Sequence, residues 1–378
     1  MRKCIMVGCD LHDDSMLVKF ALGRQKPQKR SFRNTRSARG AMIEMLKRMS
    51  ANAQGAEVVF AYEASSQGFG LYDELSEAGL ACHVLAPTKI ARSPKHRRSK
   101  TDERDAERIL ELLRAHVLAG CELPRVWIPD KQIRDEREIV RCRLDLVEKR
   151  TALKSQSRTL LKRNGIRKPK DIGQGWTNSY RAWLRGLARC DAPLGYGARM
   201  ALWSLLRQLE AIECEIELLD EQVQMLSLQE RYKEPVGQLT KLKGVGVLTA
   251  MVFLTEMGDL SRFSNRRQVG AYLGLVPASN ETGEGQERKG HITRQGSPRV
   301  RKALCQATWS RVRTDKNEQL VYGRICAKNP KHKKIAVVAI MRRLAIRMWH
   351  VGREAQRGCA AAPGRGRPRR AQATATAG

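Results

Sequence analysis

Cys4-Ile5-Met6-Val7-Gly8-Cys9-Asp10 is an apolar, partly β-branched run that stops on a carboxylate. It reads as a buried strand that delivers an acid to one edge of a sheet. Glu57-Val58-Val59-Phe60-Ala61-Tyr62-Glu63 repeats the pattern. Working outward from the first run, a polar turn over 11–14 leads to an expected second strand over 16–22 and a third over 29–35, a meander. Residues 38–49 carry helical spacing, with Met42, Met45, Leu46 and Met49 on one face. After the Glu57 run, a helix is expected over 69–78, a strand over 80–86, and a helix over 102–117 with Ile109, Leu112 and Leu113 as its apolar face. The order β-β-β-α-β-α-β-α is that of a ribonuclease H-like (RuvC-like) sheet, and neighbouring strands of such a sheet bring their acids to one edge.

The last helix opens with Lys100-Thr101-Asp102-Glu103-Arg104-Asp105-Ala106, behind the bases Lys89, Arg92, Lys95, Arg97, Arg98 and Lys100. Asp102 and Asp105 fall one turn apart on one helix face. A bland reading makes them first-turn acids behind a Thr101 N-cap, Asp10 a turn former and Glu63 a solvated strand end. The functional reading joins all four. Buried carboxylates repel, and they stay ionised together only when cations neutralise them. Oxygen ligands suit Mg2+ or Mn2+, and a pair of such ions roughly 4 Å apart assists phosphodiester displacement.

Gly8-Cys9-Asp10-Leu11-His12, Tyr62-Glu63-Ala64-Ser65-Ser66-Gln67-Gly68 and Lys100 to Ala106 resemble the three acidic motifs of the DEDD, RuvC-like insertion-sequence transposases, the bridge-RNA-guided recombinases. The resemblance implies a catalytic and metal-binding tetrad of Asp10, Glu63, Asp102 and Asp105. It also implies DNA as substrate and a structured guide RNA as partner.

Composition agrees with a polyanionic partner. The chain has 378 residues and a formal net charge of +32. Lys and Arg that neutralise phosphates release counterions and bind nucleic acid without regard to sequence. There is no apolar run of the roughly 20 residues that span a bilayer, and no basic amphipathic or lipid anchor, which leaves nucleic acid ahead of a membrane surface. Asp10 comes too early for a signal peptide, so a cytoplasmic, nucleoid-associated protein is expected. Ten cysteines without a Cys-x-x-Cys pair read as reduced, mostly buried thiols, with no structural zinc.

Pro124 and Pro129 mark a boundary. Residues 131–162 are helix-compatible, with Ile133, Val140, Leu144 and Val147 on a stripe, and 165–197 form an interruption with no clear pattern. Leu202, Leu205, Leu209, Ile212, Ile216, Leu219, Val223 and Leu226 then alternate three and four apart, a heptad seam. It fits one long core helix, an antiparallel hairpin or an intermolecular coiled coil, and a homo-oligomer (dimer or tetramer) is expected. Next, Leu242-Lys243-Gly244-Val245-Gly246 reads as a helix-hairpin-helix turn in which Gly244 and Gly246 let backbone N–H groups approach a phosphate beside Lys241 and Lys243, or as a simple tight turn.

Residues 263–283 and Lys289-Gly290-His291-Ile292-Thr293-Arg294-Gln295-Gly296 resemble the same family's C-terminal transposase domain, in which a serine before a glycine is the nucleophile. Thr282 stands at that position, its methyl group crowding an in-line approach, and Ser279 keeps a primary hydroxyl nearby; a solvated glycine-rich loop is the structural alternative. Arg288, Lys289, Arg294, Arg299, Arg301 and Lys302 surround the loop and are read as holding a scissile phosphate. Helices over 303–312 and 335–348 complete a mostly helical core, and 357–378, with five arginines and no acid, reads as a disordered basic tail.

The expected organisation is a RuvC-like domain over 1–125, a helical coiled-coil linker over 126–234, a C-terminal transposase domain over 235–356 and the tail. The leading function is a transposase that cuts and rejoins DNA. The alternatives are a metal-dependent nuclease that resolves branched DNA without a covalent intermediate, and a noncatalytic nucleic-acid scaffold. Binding to duplex DNA should weaken steeply as salt rises, the logarithm of affinity falling by about 0.9 per phosphate contacted for each tenfold in salt. A flat response in fluorescence anisotropy would remove the basic surface as the contact.

Overall fold

A computed structural model describes residues 3–90, 101–173, 175–189, 193–280, 288–328, 330 and 333–361. The chain divides into two compact units, Met1–Ile128 and Pro129–Gly378.

The first unit follows the expected element order. Strands β1 (Cys4–Leu11), β2 (Ser15–Leu22) and β3 (Gln28–Arg33) form the meander, followed by α1 (Arg36–Asn52), β4 (Glu57–Glu63), α2 (Gly70–Glu77), β5 (Ala81–Leu85) and α3 (Asp102–Ala119). The sheet order is β3-β2-β1-β4-β5. β1 pairs antiparallel with β2 and parallel with β4, and β4 runs parallel with β5. β1 is buried on both faces, which explains its near-continuous apolar sequence. Ile5, Val7 and Cys9 pack in a core with Met42 and Leu46 of α1 and Leu71 and Leu75 of α2. Cys4 and Met6 pack on the opposite face with Ile109, Leu110 and Leu113 of α3.

Gly8 lies on that second face. A Cβ there would stand 2.4 Å from the Ala106 carbonyl oxygen and 2.5 Å from the Leu110 nitrogen, both backbone atoms of α3. Only glycine lets the helix lie this close to the strand. Lys19, paired with Gly8 across β1 and β2, ties the helix down: its Nζ is 2.8 Å from Glu107 and 3.1 Å from Glu103. Burial pulls the Lys19 ammonium down, but the two carboxylates more than offset this and its net shift is upward. Thr101 occupies the N-cap position of α3 but its side chain makes no capping bond, so the capping role expected of it is not observed.

The second unit is helical except for one hairpin. It contains α4 (Lys131–Arg163), α5 (Asn178–Arg189), α6 (Tyr196–Ser227), α7 (Glu230–Thr240), α8 (Val247–Met257), α9 (Arg266–Tyr272), β6 (Pro277–Asn280), β7 (Arg288–Ile292), α10 (Pro298–Thr314), α11 (Lys316–Lys328) and α12 (Lys333–Ala361). The heptad seam of α6 finds its partner within the chain. Val140 of α4 shares a core with Val223 and Leu226, whereas Leu160 and Leu161 share another with Leu202 and Leu206. The two helices are therefore antiparallel, the hairpin option of the sequence. Within 165–197, α5 packs through Tyr180 and Leu184 on this pair. The remaining helices enclose a core around Phe253, Leu254, Leu304, Leu344 and Met348. The tail expectation is corrected at its start, since α12 continues through Ala361; 362–378 lie outside the described residues.

The cysteines of the described residues are free, as expected, but only Cys4 and Cys9 are buried, and Cys121, Cys142 and Cys214 are exposed. Among the described residues no helix is long and apolar enough to cross a membrane.

Replacing Gly8 by alanine should destabilise the first unit by about 1–3 kcal/mol through overpacking against the α3 backbone. Thermal unfolding checks this, and an unchanged melting temperature would show that α3 can retreat without cost.

Candidate active site

The parity of β1 and β4 fixes two of the acids. Cys9 pairs with Tyr62 across the parallel ladder, and the next residue on each strand is Asp10 and Glu63. Both therefore fall on the face covered by α3. The close approach at Gly8 lays the start of α3, with Asp102 and Asp105, over the same end of β1. Asp102 is half exposed at 55%, Asp10 is 15% exposed and Asp105 11%, by side chain.

Asp10, His12 and Asp102 each offer a ligand atom within 4.8 Å of the other two. His12 Nε2 lies 3.1 Å from Asp10 Oδ2 and 3.3 Å from Asp102 Oδ1. The turn after β1 holds His12: its N–H donates to the Ser15 carbonyl at 2.9 Å, and its own carbonyl accepts from Asn34 Nδ2 at 2.7 Å. Gln67 Nε2 donates to Asp13 Oδ1, which ties the loop after β4 to the loop after β1. Asp105 accepts from Arg108 at 3.3 Å. Glu63 and Asp105 stay outside the 4.8 Å group.

Burial pushes the Asp10 carboxyl above its ordinary value. His12 pulls it back, and the charges of Asp105 and Asp102 push it further up. Such like-charge crowding is what a cation relieves. Two carboxylates and an imidazole fit a divalent cation. Magnesium takes oxygen ligands, while the imidazole widens the choice toward manganese. His12 stood in the quoted motif without a role. The available signal was its spacing: residues two apart on a strand share a face, so Asp10-Leu11-His12 could have marked it.

In the second unit, Gly244 has φ +85, and a Cβ there would lie 2.5 Å from the Ala307 carbonyl oxygen of α10. Gly246 is the N-cap of α8, and a Cβ there would meet nothing within 4 Å. The two glycines thus divide the work: one packs the turn on α10, and the other leaves the N-terminus of α8 open. Lys241 and Lys243 are exposed beside them, and Lys241 bonds Gln238 at 3.0 Å.

β6 and β7 pair antiparallel, Ser279 opposite Lys289 and Asn280 opposite Arg288. Thr282 lies outside the described residues, as do Lys95, Arg97, Arg98 and Lys100. Arg294 is exposed and takes the left-handed conformation at φ +55, where its N–H donates to the Gly274 carbonyl.

Three of the arginines and lysines around the loop are engaged elsewhere. Arg299 binds Asp145 at 2.8 Å, Lys302 binds Glu148 at 2.9 Å, and Arg301 donates to the carbonyls of Gly296 at 2.5 Å and Leu273 at 3.3 Å. The structure thus gives these three partners on α4 and on the backbone of the loop, where the sequence suggested a phosphate.

Comparison with known proteins agrees with this geometry. Residues 7–165 match the DEDD transposase domain of IS110 type, and residues 237–323 match the Transposase IS116/IS110/IS902 family. The chain is 36% identical over 253 residues to y4qE of Sinorhizobium fredii, named as a transposase; this spans 67% of the chain and 58% of that protein, less than two thirds of its length. A second protein of that organism named as a transposase, y4rJ, is 29% identical over 308 residues, 76% of this chain and 75% of its own. The transposase for insertion sequence element IS1533 of Leptospira borgpetersenii is 26% identical over 312 residues, 82% of this chain and 86% of its own. The two matched domains follow one another along the chain, the first of them ribonuclease H-like, and the chain belongs to the IS110-type family of DEDD transposases.

Proposed function

We propose that this transposase breaks and rejoins DNA strands with two chemistries carried in one chain: a divalent cation held by carboxylates and a hydroxyl nucleophile. The observation that supports it is the gathering of ligand atoms of Asp10, His12 and Asp102 within 4.8 Å of one another at the end of β1. Asp10, Glu63, Asp102 and Asp105 would hold Mg2+ or Mn2+, with His12 within reach of the same ion. When bound, such an ion offsets charge on the attacking and leaving oxygens of a phosphodiester.

Thr282, or Ser279 with its primary hydroxyl, supplies the nucleophile. Its oxygen bonds to phosphorus, the bond to the leaving strand breaks, the hydroxyl gives its proton to solvent and the leaving oxygen takes one up. Reversal with a different incoming strand rejoins DNA. Exposed Arg294, with Arg288 and Lys289 from the matching motif, would steady the phosphate, and Lys241, Lys243 and the turn at Gly244 and Gly246 would grip the backbone nearby. Lys95, Arg97, Arg98 and Lys100 would add phosphate contacts before α3.

The same reading includes a structured guide RNA, a dimer or tetramer, and action at the nucleoid in the cytoplasm. What supports these is the net charge of +32 and family membership. Functionally, we divide the chain into the RuvC-like catalytic domain (1–125), the helical linker (126–234), the transposase domain (235–361, to the end of α12) and the basic tail after it.

Asp105→Asn should lower strand exchange on supercoiled DNA in Mg2+ by about 100-fold or more while leaving DNA affinity in place; intact exchange would take the carboxylates out of the mechanism. Mapping of a trapped protein–DNA adduct should find Thr282, and an adduct at Ser279 would move the nucleophile there. Hydrolysis with no adduct would make the protein a metal-dependent nuclease instead.

A further inference from the structure

Charge is distributed unevenly along the α4–α6 hairpin. Residues 149–207 hold fourteen Lys and Arg against Asp171 and Asp191, whereas residues 208–221 hold six acids and no base. Three of these six acids are paired internally: Asp220 with Arg143 at 2.7 Å, Glu213 with Lys154 and Arg181, and Glu210 with Arg185 at 2.6 Å. The end of the hairpin is different. Lys162, Arg163, Arg167, Lys170 and Arg207 are exposed and make no ion pair among the described residues. Five solvated bases in a helix end would be unremarkable if nothing else accompanied them, but here two further features do.

Aromatic rings are interleaved with the bases. Tyr196, the first residue of α6, is 73% exposed, and Arg199 sits 5.9 Å from its ring centroid. Arg189 lies 5.6 Å from the ring of Trp203. Lys154 and Arg158 lie 5.3 and 5.7 Å from that of Trp176. In addition, an open cavity of about 690 Å³ separates α4 from α6, with Ala152, Ser155 and Gln156 on one wall, Ala201 and Ser204 on the other, and Arg163 at its edge. The small side chains make the room, and the amide and hydroxyls offer both donors and acceptors.

We infer that this end of the hairpin binds an unpaired strand of nucleic acid. The phosphates lie on Arg163, Arg167 and Lys170, one base stacks on Tyr196, and another enters the cavity beside Gln156. A duplex presents phosphates but hides the faces of its bases, so it gains nothing from an exposed tyrosine. An acidic protein surface would match the charge and leave both ring and cavity unused. The surface is separate from the turn at Gly244 and the hairpin of β6 and β7. It does not depend on the carboxylate site.

The test uses the full chain and fluorescence anisotropy with oligo(dT), oligo(U) and a duplex, each of about 20 nucleotides, long enough to fill a site of roughly 4–16 nucleotides. The triple variant Arg163→Gln, Arg167→Gln, Lys170→Gln should lose about tenfold or more in single-strand affinity and about 2 from the salt slope. Tyr196→Ala should lose about fivefold or more on single strands and little on the duplex. All four side chains are solvent-facing, and an unchanged melting temperature verifies the fold of each variant. A loss in the oligo(dT) arm, the oligo(U) arm or both supports the surface and assigns the sugar. Unchanged single-strand affinity in both variants overturns it, as does an equal loss of Tyr196→Ala on the duplex. A shift in oligomeric state with strand affinity intact also overturns it, giving the cavity to a second copy. Strand affinity is read here without strand exchange, so failure here and failure of the catalytic reading are distinguishable.

Discussion

The N-terminal unit depends on one backbone-to-backbone contact, the packing of α3 on β1 at Gly8. Strand ends and helix starts carry acids in many proteins without consequence. Here the absence of a side chain at one position lets the helix backbone descend to within 2.5 Å of where a Cβ would stand. That brings acids from positions 10 and 102, far apart in the chain, into one group with His12. The clamp of Lys19 on Glu103 and Glu107 works in the same direction. It sets the start of α3 over β2 and spends Glu103 and Glu107 on structure. Asp102 and Asp105 remain on the side of the sheet edge.

Burial is the main reason the Asp10 carboxyl is pushed up, and the charges of Asp105 and Asp102 add to it. A fold tolerates such crowding when it is relieved by a bound cation, and family membership gives that crowding its chemical sense. His12 moderates it in the meantime by facing both Asp10 and Asp102.

The second unit shows how misleading a count of basic residues is. Arg137 and Arg141 are turned inward, donating to the Thr255 carbonyl and to the buried Glu256. Arg311 donates to the Lys243 carbonyl and to Glu318, and so braces the turn whose Gly244 rests on α10. These arginines hold helices together, as bidentate guanidinium groups do in partly buried settings. Among the described residues, the charge left without an ion pair lies on the exposed lysines of the α7–α8 turn, on Arg294 and at the end of the α4–α6 hairpin.

Local pattern was enough for much of this protein. Period-two and period-3.6 spacing placed β4 at Glu57–Glu63 and put α3 at Asp102, because those periods reflect which face of a single segment is buried. The acids at positions 10, 63, 102 and 105 were legible for the same reason. What pairs with what was not, because partners are chosen between segments distant in sequence. The heptad seam of α6 is a local fact, but that it packs on α4 of the same chain required both helices in place. Arg299, Arg301 and Lys302 look available beside a glycine-rich loop until α4 brings Asp145 and Glu148 against two of them and the fold brings the Gly296 carbonyl to the third. His12 entered the acidic group only when α3 settled on Gly8. The sequence by itself determined the elements and the acids they carry; tertiary structure alone decided which charges face one another, since electrostatic energy depends on distance in space and hardly at all on separation along the chain.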